Sequence, residues 1–338
     1  MRIKFFVSNI EMAPTTISAK LIANALIKRG YDVEIVNDYQ RNKEILLKKD
    51  AEMIIFQKKI YPGHGYNDVK DLKGYVKLIY IDDDFVGMDD PIALKTLNLS
   101  DLVLVGNEVH AQKLKKYVST SIEAITSISD FENYRYKGAD EKNNNPLIIS
   151  WQQNLADVYI DDLKTIEKPI KEIYDKYNIE LRLYGWHEGK HYGVPDRRNK
   201  VKEFWPFAKF ISFEQPEVYL RKIVPDISNS DIGILPYVYI EERYGKSGFG
   251  LRRMMMMGVP MVVSNFGYNT TLIKDGINGF LANTEEEWYS KLEILILNHS
   301  KRKEFSLLSK KLIEDEFSYD KTTDKFINAI NKHFSLKK

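Results

Sequence analysis

Short, largely apolar runs recur along this chain, separated by amphipathic segments, and that rhythm narrows the possible folds more than any other feature. Ile3 to Val7, Val33 to Val36, Met53 to Phe56, Val76 to Ile81, Leu102 to Val105 and Ile122 to Ile125 lack strict polar–apolar alternation. Strands buried on both faces read this way, as in a parallel sheet covered by helices. Between them, Ile17, Leu21, Ile22, Ala25 and Leu26 form one helical stripe that stops at Arg29-Gly30. Ile45 to Leu47, Ile92 to Leu97 and Val109 to Leu114 supply further amphipathic segments. From Asp130 to Pro146 the rhythm lapses into DFENYRYKGADEKNNNP, a linker composition. It then restarts with a strand at Leu147 to Trp151, a long helix over Val158 to Tyr177 and a strand from Leu181 to Tyr184 that stops at Gly185. Phe210 to Phe213, Ile232 to Leu235, Met261 to Val263 and Gly279 to Ala282 add strands, and helical patterns close the chain, the last over about Tyr319 to Phe334. Strand–helix alternation predicts parallel sheets with helices on both faces. The expected fold is α/β, with two doubly wound Rossmann-like domains, 1–140 and 147–317, facing each other across a cleft. Residues 318–338 are expected as a helix packing back on the first domain.

Composition excludes several function classes. The chain has no cysteine, which rules out disulfides, thiolate catalysis and cysteine-ligated zinc. Its 50 basic residues are nearly balanced by 48 acidic ones, leaving a net charge of +2 and no nucleic-acid footprint. Lys113, Lys115 and Lys116 form a basic helix face suited to solvent or to an anionic membrane surface. No apolar run is long enough to span a bilayer, and the N-terminal segment reads as a strand rather than a signal peptide. The expected location is the cytoplasm, with peripheral contact at the inner face of a membrane left open.

The chemistry concentrates between Asp231 and Trp288. A buried strand, Ile232 to Leu235, leads into the loop Gly245-Lys246-Ser247-Gly248, which opens a helix containing Met254 to Met257. Four successive apolar helical positions point all round the axis, so this helix is expected to be buried on every side. A cation and flexible backbone at a helix start suit a diphosphate, because free N–H groups and the helix dipole both favour anions. Lys246 is the first candidate for that charge, with Arg243 and Arg252 behind it, and the backbone from Ser247 through Gly248 to Gly250 would complete the cradle. The bland alternative for Lys246 is a side chain lying along a loop edge. Gly267, Asn269 and Thr270 occupy a strand-to-helix turn that suits either a ligand contact or helix capping. Gly185 and Trp186 are candidates for the edge of a base pocket; Trp151 fits a core better.

Several stretches resemble retaining GT-B glycosyltransferases of the group 1, or family four, type used in bacterial surface-polysaccharide biosynthesis. In the second half they are Ile148 to Trp151 with Gln152-Gln153-Asn154, Leu181 to Gly185, Ser230 to Pro236, Gly245-Lys246-Ser247, Gly258-Val259-Pro260, Gly267-Tyr268-Asn269, Asp275-Gly276, Asn278-Gly279-Phe280 and Glu287-Trp288. Tyr80 to Asp84 and Leu102 to Asn107 carry it in the first half. The resemblance implies transfer of a sugar from a nucleoside-diphosphate sugar to a saccharide or lipid-linked acceptor, with retention and without metal or other cofactor. The leaving phosphate itself would take the acceptor proton. The chain departs from the family at two positions: Gly250 and Arg253 stand where a lysine and a ribose-binding glutamate are usual. Arginine has no acceptor to offer a hydroxyl, and Glu241 and Glu242 are the nearest substitutes in sequence. On the acceptor side the candidates are Thr15, Thr16 and Ser18 after the first strand, His64 in a turn-rich loop, and the cluster Asp82, Asp83 and Asp84. Two competing readings remain: a catalytically degenerate GT-B protein acting as a glycan-binding or partner subunit, and a nucleotide-sugar epimerase.

Overall fold

The structure, a computed structural model, describes residues 1–7, 10, 15–37, 42, 44–45, 48–57, 70–82, 91–130, 133–191 and 193–334, with the backbone alone at 16, 17, 82, 191 and 242. The chain divides into two units. The first comprises Met1–Ile128, Tyr244–Ser247 and Glu316–Lys338; the second comprises Ser129–Arg243 and Gly248–Asp315.

The first unit is built on a parallel sheet of β1 (Arg2–Val7), β2 (Asp32–Val36), β3 (Met53–Gln57), β4 (Lys77–Asp82), β5 (Leu102–Val105) and β6 (Ile122–Ala124). Its strand order is β2-β1-β3-β4-β5-β6, every neighbouring pair parallel. The two-residue period of the strands sorts side chains onto two cores. Ile3, Phe5, Val7, Ile55, Ile79 and Leu104 face one helix layer, while Phe6, Ile54, Phe56, Tyr80, Val103 and Val105 face the other. The helix Tyr319–Phe334 belongs to this unit: Phe326 and Ile330 enter the first of those cores, and Asp320 and Asp324 pair with Arg29.

The second unit repeats the plan. Its sheet contains β7 (Leu147–Gln152), β8 (Ile179–Trp186), β11 (Lys209–Ser212), β12 (Ile232–Leu235), β13 (Met261–Ser264) and β14 (Phe280–Ala282), in the order β11-β8-β7-β12-β13-β14, all parallel. A small antiparallel pair, β9 (Lys190–His191) and β10 (Val194–Pro195), lies outside it. Two doubly wound parallel sheets are what the alternation predicts, and Met254 to Met257 are buried as expected.

Three local readings differ. The helix read as continuous over Val158 to Tyr177 is broken into Ala156–Tyr159, Ile160–Lys164 and Glu167–Lys176. Thr165 and Ile166 close tight turns onto Asp162 and Leu163, and Pro169, lacking an N–H, cannot continue an earlier helix into the last one. Strand β8 does not stop at Gly185 but passes through it to Trp186. The polar stretch 130–146 is tied into the second unit rather than left loose. Lys142 Nζ donates to the carbonyls of Ser230 and Gly258, each at 2.9 Å, and Asn144 donates to Asn229 O and Asp231 Oδ2. Its polar groups serve as caps for backbone carbonyls, a use that hydropathy does not register.

Candidate functional site

In the second unit, strand β12 is buried throughout and delivers the chain to Val238 and Arg243. Both are held by one carboxylate. Asp162, fully buried, accepts from Val238 N at 2.9 Å and from Arg243 Nε at 2.9 Å, and the Arg243 guanidinium lies 4.4 Å from the Tyr159 ring centre. Arg243, expected as a diphosphate cation, therefore has its charge engaged by a structural partner. Sequence reading passes over Asp162 because, beside Asp161 in the polar–apolar run Ile160–Lys164, no motif marks it. Arg243→Ala is expected to lower unfolding free energy by about 3 kcal/mol, since it strands a buried carboxylate; urea denaturation measures this, and a loss under about 1 kcal/mol would show Asp162 sustained by its other donors.

Helix Phe249–Met256 begins at Gly248, which has a left-handed φ of 69°. A Cβ there would lie 2.7 Å from Tyr268 Cδ1 and 2.8 Å from Leu272 Cδ1, so the glycine permits close packing of the helix start. Gly250 differs: a Cβ added there meets nothing within 4 Å. Arg252 is buried, and that burial lowers its pKa to about 10, opposed by Tyr268. It remains cationic at neutral pH. Arg253 is buried as well, among the rings of Tyr134, Tyr219 and Phe249.

The remaining donor-side candidates serve the backbone. Asn269 is buried and its amide donates to Ser264 O at 3.1 Å, while Thr270 Oγ1 donates to Gly267 O at 2.9 Å. Neither caps the short helix Asn269–Leu272. Gly267 supplies a positive φ of 56°. Trp186 is fully buried, 6.3 Å from Trp151 and 5.1 Å from Phe210 between ring centres. Its indole is packed in the core, where sequence reading placed the edge of a base pocket. Gly185 holds a φ of 99° where the chain crowds Gln153.

Lys246 and Ser247 belong to the first unit. Lys246 is half-buried, and its carbonyl accepts from Asn107 Nδ2 at 3.0 Å. The other end of the same amide caps helix Glu108–Leu114, Oδ1 accepting from His110 N at 2.8 Å. A Cβ on Gly106 would sit 3.0 Å from Ser247 Cβ. The β5 corner thus grips the lysine loop, with Asn107 serving helix and loop together. Its helix-capping half is legible from an Asn before a helix; its loop-holding half spans 139 positions and is not.

Among acceptor-side candidates, Thr15 is buried and donates to Gln57 Oε1 at 3.0 Å, where β1 and β3 end. Ser18 is half-buried in the turn Thr16–Lys20. The side chains of Thr16 and Asp82, and all of His64, Asp83 and Asp84, lie outside the described residues, as does the Glu242 side chain; Glu241 is exposed. Among the described residues no helix is long and apolar enough to cross a membrane.

No protein-family model matches the chain, and no curated protein matches it in sequence. Its fold is nevertheless close to those of solved glycosyltransferases. A glycosyltransferase from Rickettsia africae is similar with a TM-score of 0.75 and 13% identity, over 99% of each chain. A sucrose-phosphate synthase from Thermosynechococcus elongatus gives 0.74 and 10% identity, over 99% of this chain and 100% of its own. HepE from Anabaena, solved with UDP, gives 0.72 and 12% identity over 98% of this chain and 100% of its own. At such identities the likeness is one of fold, and it is the GT-B fold.

Proposed function

We propose that this chain is a glycosyltransferase that moves a sugar from a nucleoside-diphosphate sugar to a saccharide or lipid-linked glycan, with retention and without a metal. The observation that carries the reading is the segment from β12 to Met256. The buried strand is followed in sequence by Lys246 and by a helix that starts at the left-handed Gly248, and a helix start favours an anion. Departure of a nucleoside diphosphate places negative charge where such a loop is most favourable, because preoriented dipoles and a cation stabilise it without reorganising. Similarity of fold to HepE, which binds UDP and UDP-glucose, supports a uridine donor. Incubation with UDP-sugars and a panel of glycan acceptors, with and without EDTA, tests this. Acceptor-dependent, EDTA-insensitive release of UDP is expected. Interconversion of UDP-sugars without acceptor would instead mark an epimerase, and inertness with every donor a degenerate binding protein.

In this reading Asn107 is a positioning residue, because it acts through the Lys246 backbone that it holds. Asn107→Ser keeps a side-chain oxygen to cap Glu108–Leu114 and removes the amide that reaches Lys246. Expected is a fall of about tenfold in kcat/KM for the donor, while unfolding free energy drops by only about 1 kcal/mol, one hydrogen bond's worth. Unchanged kinetics would show that the loop holds its shape without this bond.

A further inference from the structure

We propose that Arg253 is a receptor for an oxyanion of the nucleotide donor, set at the topological switch point of the second sheet. Successive strands run outward from β7 in opposite directions, β8 and β11 to one side and β12, β13 and β14 to the other. Open α/β sheets bind ligands beyond the carboxyl ends of the two strands where that reversal occurs, here β7 and β12. Strand β7 ends at Gln152, and the Gln152 amide donates to the Tyr219 hydroxyl. The Arg253 guanidinium lies 5.4 Å from the Tyr219 ring centre, and 5.5 Å from each of those of Tyr134 and Phe249.

This cation is 5% exposed and forms no ion pair with a carboxylate among the described residues. Burial lowers its pKa, but the Tyr219 and Tyr134 hydroxyls outweigh burial and hold it above the ordinary value, so it stays charged. The Tyr134 hydroxyl takes one of its N–H bonds, but neither that hydroxyl nor the ring faces pair with a guanidinium in the bidentate way a planar oxyanion does. Two polar atoms of the cluster are buried without a hydrogen-bond partner among the described residues: Arg253 Nε, a donor, and Gln152 Oε1, an acceptor. A ligand carrying an oxyanion beside a hydroxyl satisfies both, and a nucleotide offers that pair as phosphate and ribose. A buried cation lacking an anion weakens a fold, whereas one that receives an anion on binding gives affinity.

The inference rests on the proposed function, and calorimetric titration of the full chain separates the two. UDP and inorganic pyrophosphate are the probes, and uridine is the phosphate-free control. Arg253→Met is expected to melt at or above the wild-type temperature and to lose at least tenfold in affinity for UDP and pyrophosphate, with Arg253→Lys intermediate. Wild-type affinity in folded Arg253→Met overturns the proposal. Should Arg253→Met not fold, Arg253→Lys decides: weakened UDP binding supports the oxyanion role, and unchanged binding overturns it. If Lys246→Ala loses UDP affinity while Arg253→Met keeps it, the transferase reading stands and only this inference falls. If wild-type protein binds neither probe, both fall.

Discussion

Lys246→Ala is expected to cut sugar transfer by about a hundredfold to a thousandfold, the usual cost of removing one group aimed at developing charge, and to leave thermal stability nearly untouched. The two halves of this expectation have different origins. Alanine keeps the Lys246 carbonyl that accepts from Asn107 Nδ2, so that tie to the fold survives the substitution. Transfer is lost because the other cations nearby in sequence are engaged elsewhere or deeply buried. Arg243 is paired with Asp162, and Arg252 lies inside the helix packing. Neither matches the position of a half-buried lysine directly ahead of a helix start. Initial rates with saturating acceptor, together with a melting curve, provide the measurement. Retained transfer with a collapsed melting temperature would make Lys246 a structural residue and remove the main support for the diphosphate assignment. The effect should fall mainly on kcat if the lysine meets the charge only as the diphosphate departs, and on KM if it binds donor and transition state alike.

The same residues show how far sequence carries this protein. The sheets were legible because a doubly covered strand has few other ways to read, and Leu102–Val105 and Ile232–Leu235 match to the residue. The Met254 to Met257 run was legible for a similar reason: four consecutive helical positions have no solvent side. Side-chain partners were not. Arg243 and Lys246 look alike in sequence, each a cation near a glycine-bearing loop, and nothing in that likeness tells that Arg243 answers a carboxylate in a distant helix. The pairing of Arg243 with Asp162 depends on how a broken helix returns to the sheet, and the break itself comes from Pro169 and the tight turns before it. Trp186 is buried because the strand continues one residue beyond its glycine and turns the indole inward. In each case periodicity identifies an element while long-range closure decides what its side chains meet.

That glycine carries the largest expected effect on stability. Gly185 lies inside β8 with a φ of 99°, and the partner strand pairs Ile211 with Tyr184 and Ser212 with Trp186, leaving Gly185 as an extra residue in a bulge. A Cβ on Gly185 would stand 1.6 Å from the Gln153 carbonyl oxygen and 2.8 Å from its carbon. These are backbone atoms immediately beyond β7, and Gln153 N itself bonds to Tyr184 O, so no side-chain rotation relieves the clash. Gly185→Ala must both hold alanine in a conformation it disfavours by about 1–2 kcal/mol and displace the end of β7 or β8. Displacement also disturbs Trp186, which is fully buried between Trp151 and Phe210. The combined cost is expected to exceed about 4 kcal/mol, in the range reserved for backbone strain and core disruption. For a unit of this size that is a fall of about 10 °C or more in melting temperature. Scanning calorimetry of the full chain resolves it, and a drop within 2 °C, about the shift of a marginal substitution, would mean that the bulge can flatten. A flattened bulge would swing Trp186 out of register with its core, so near-UV circular dichroism distinguishes a strand that absorbs the methyl group from one that keeps its shape and melts early.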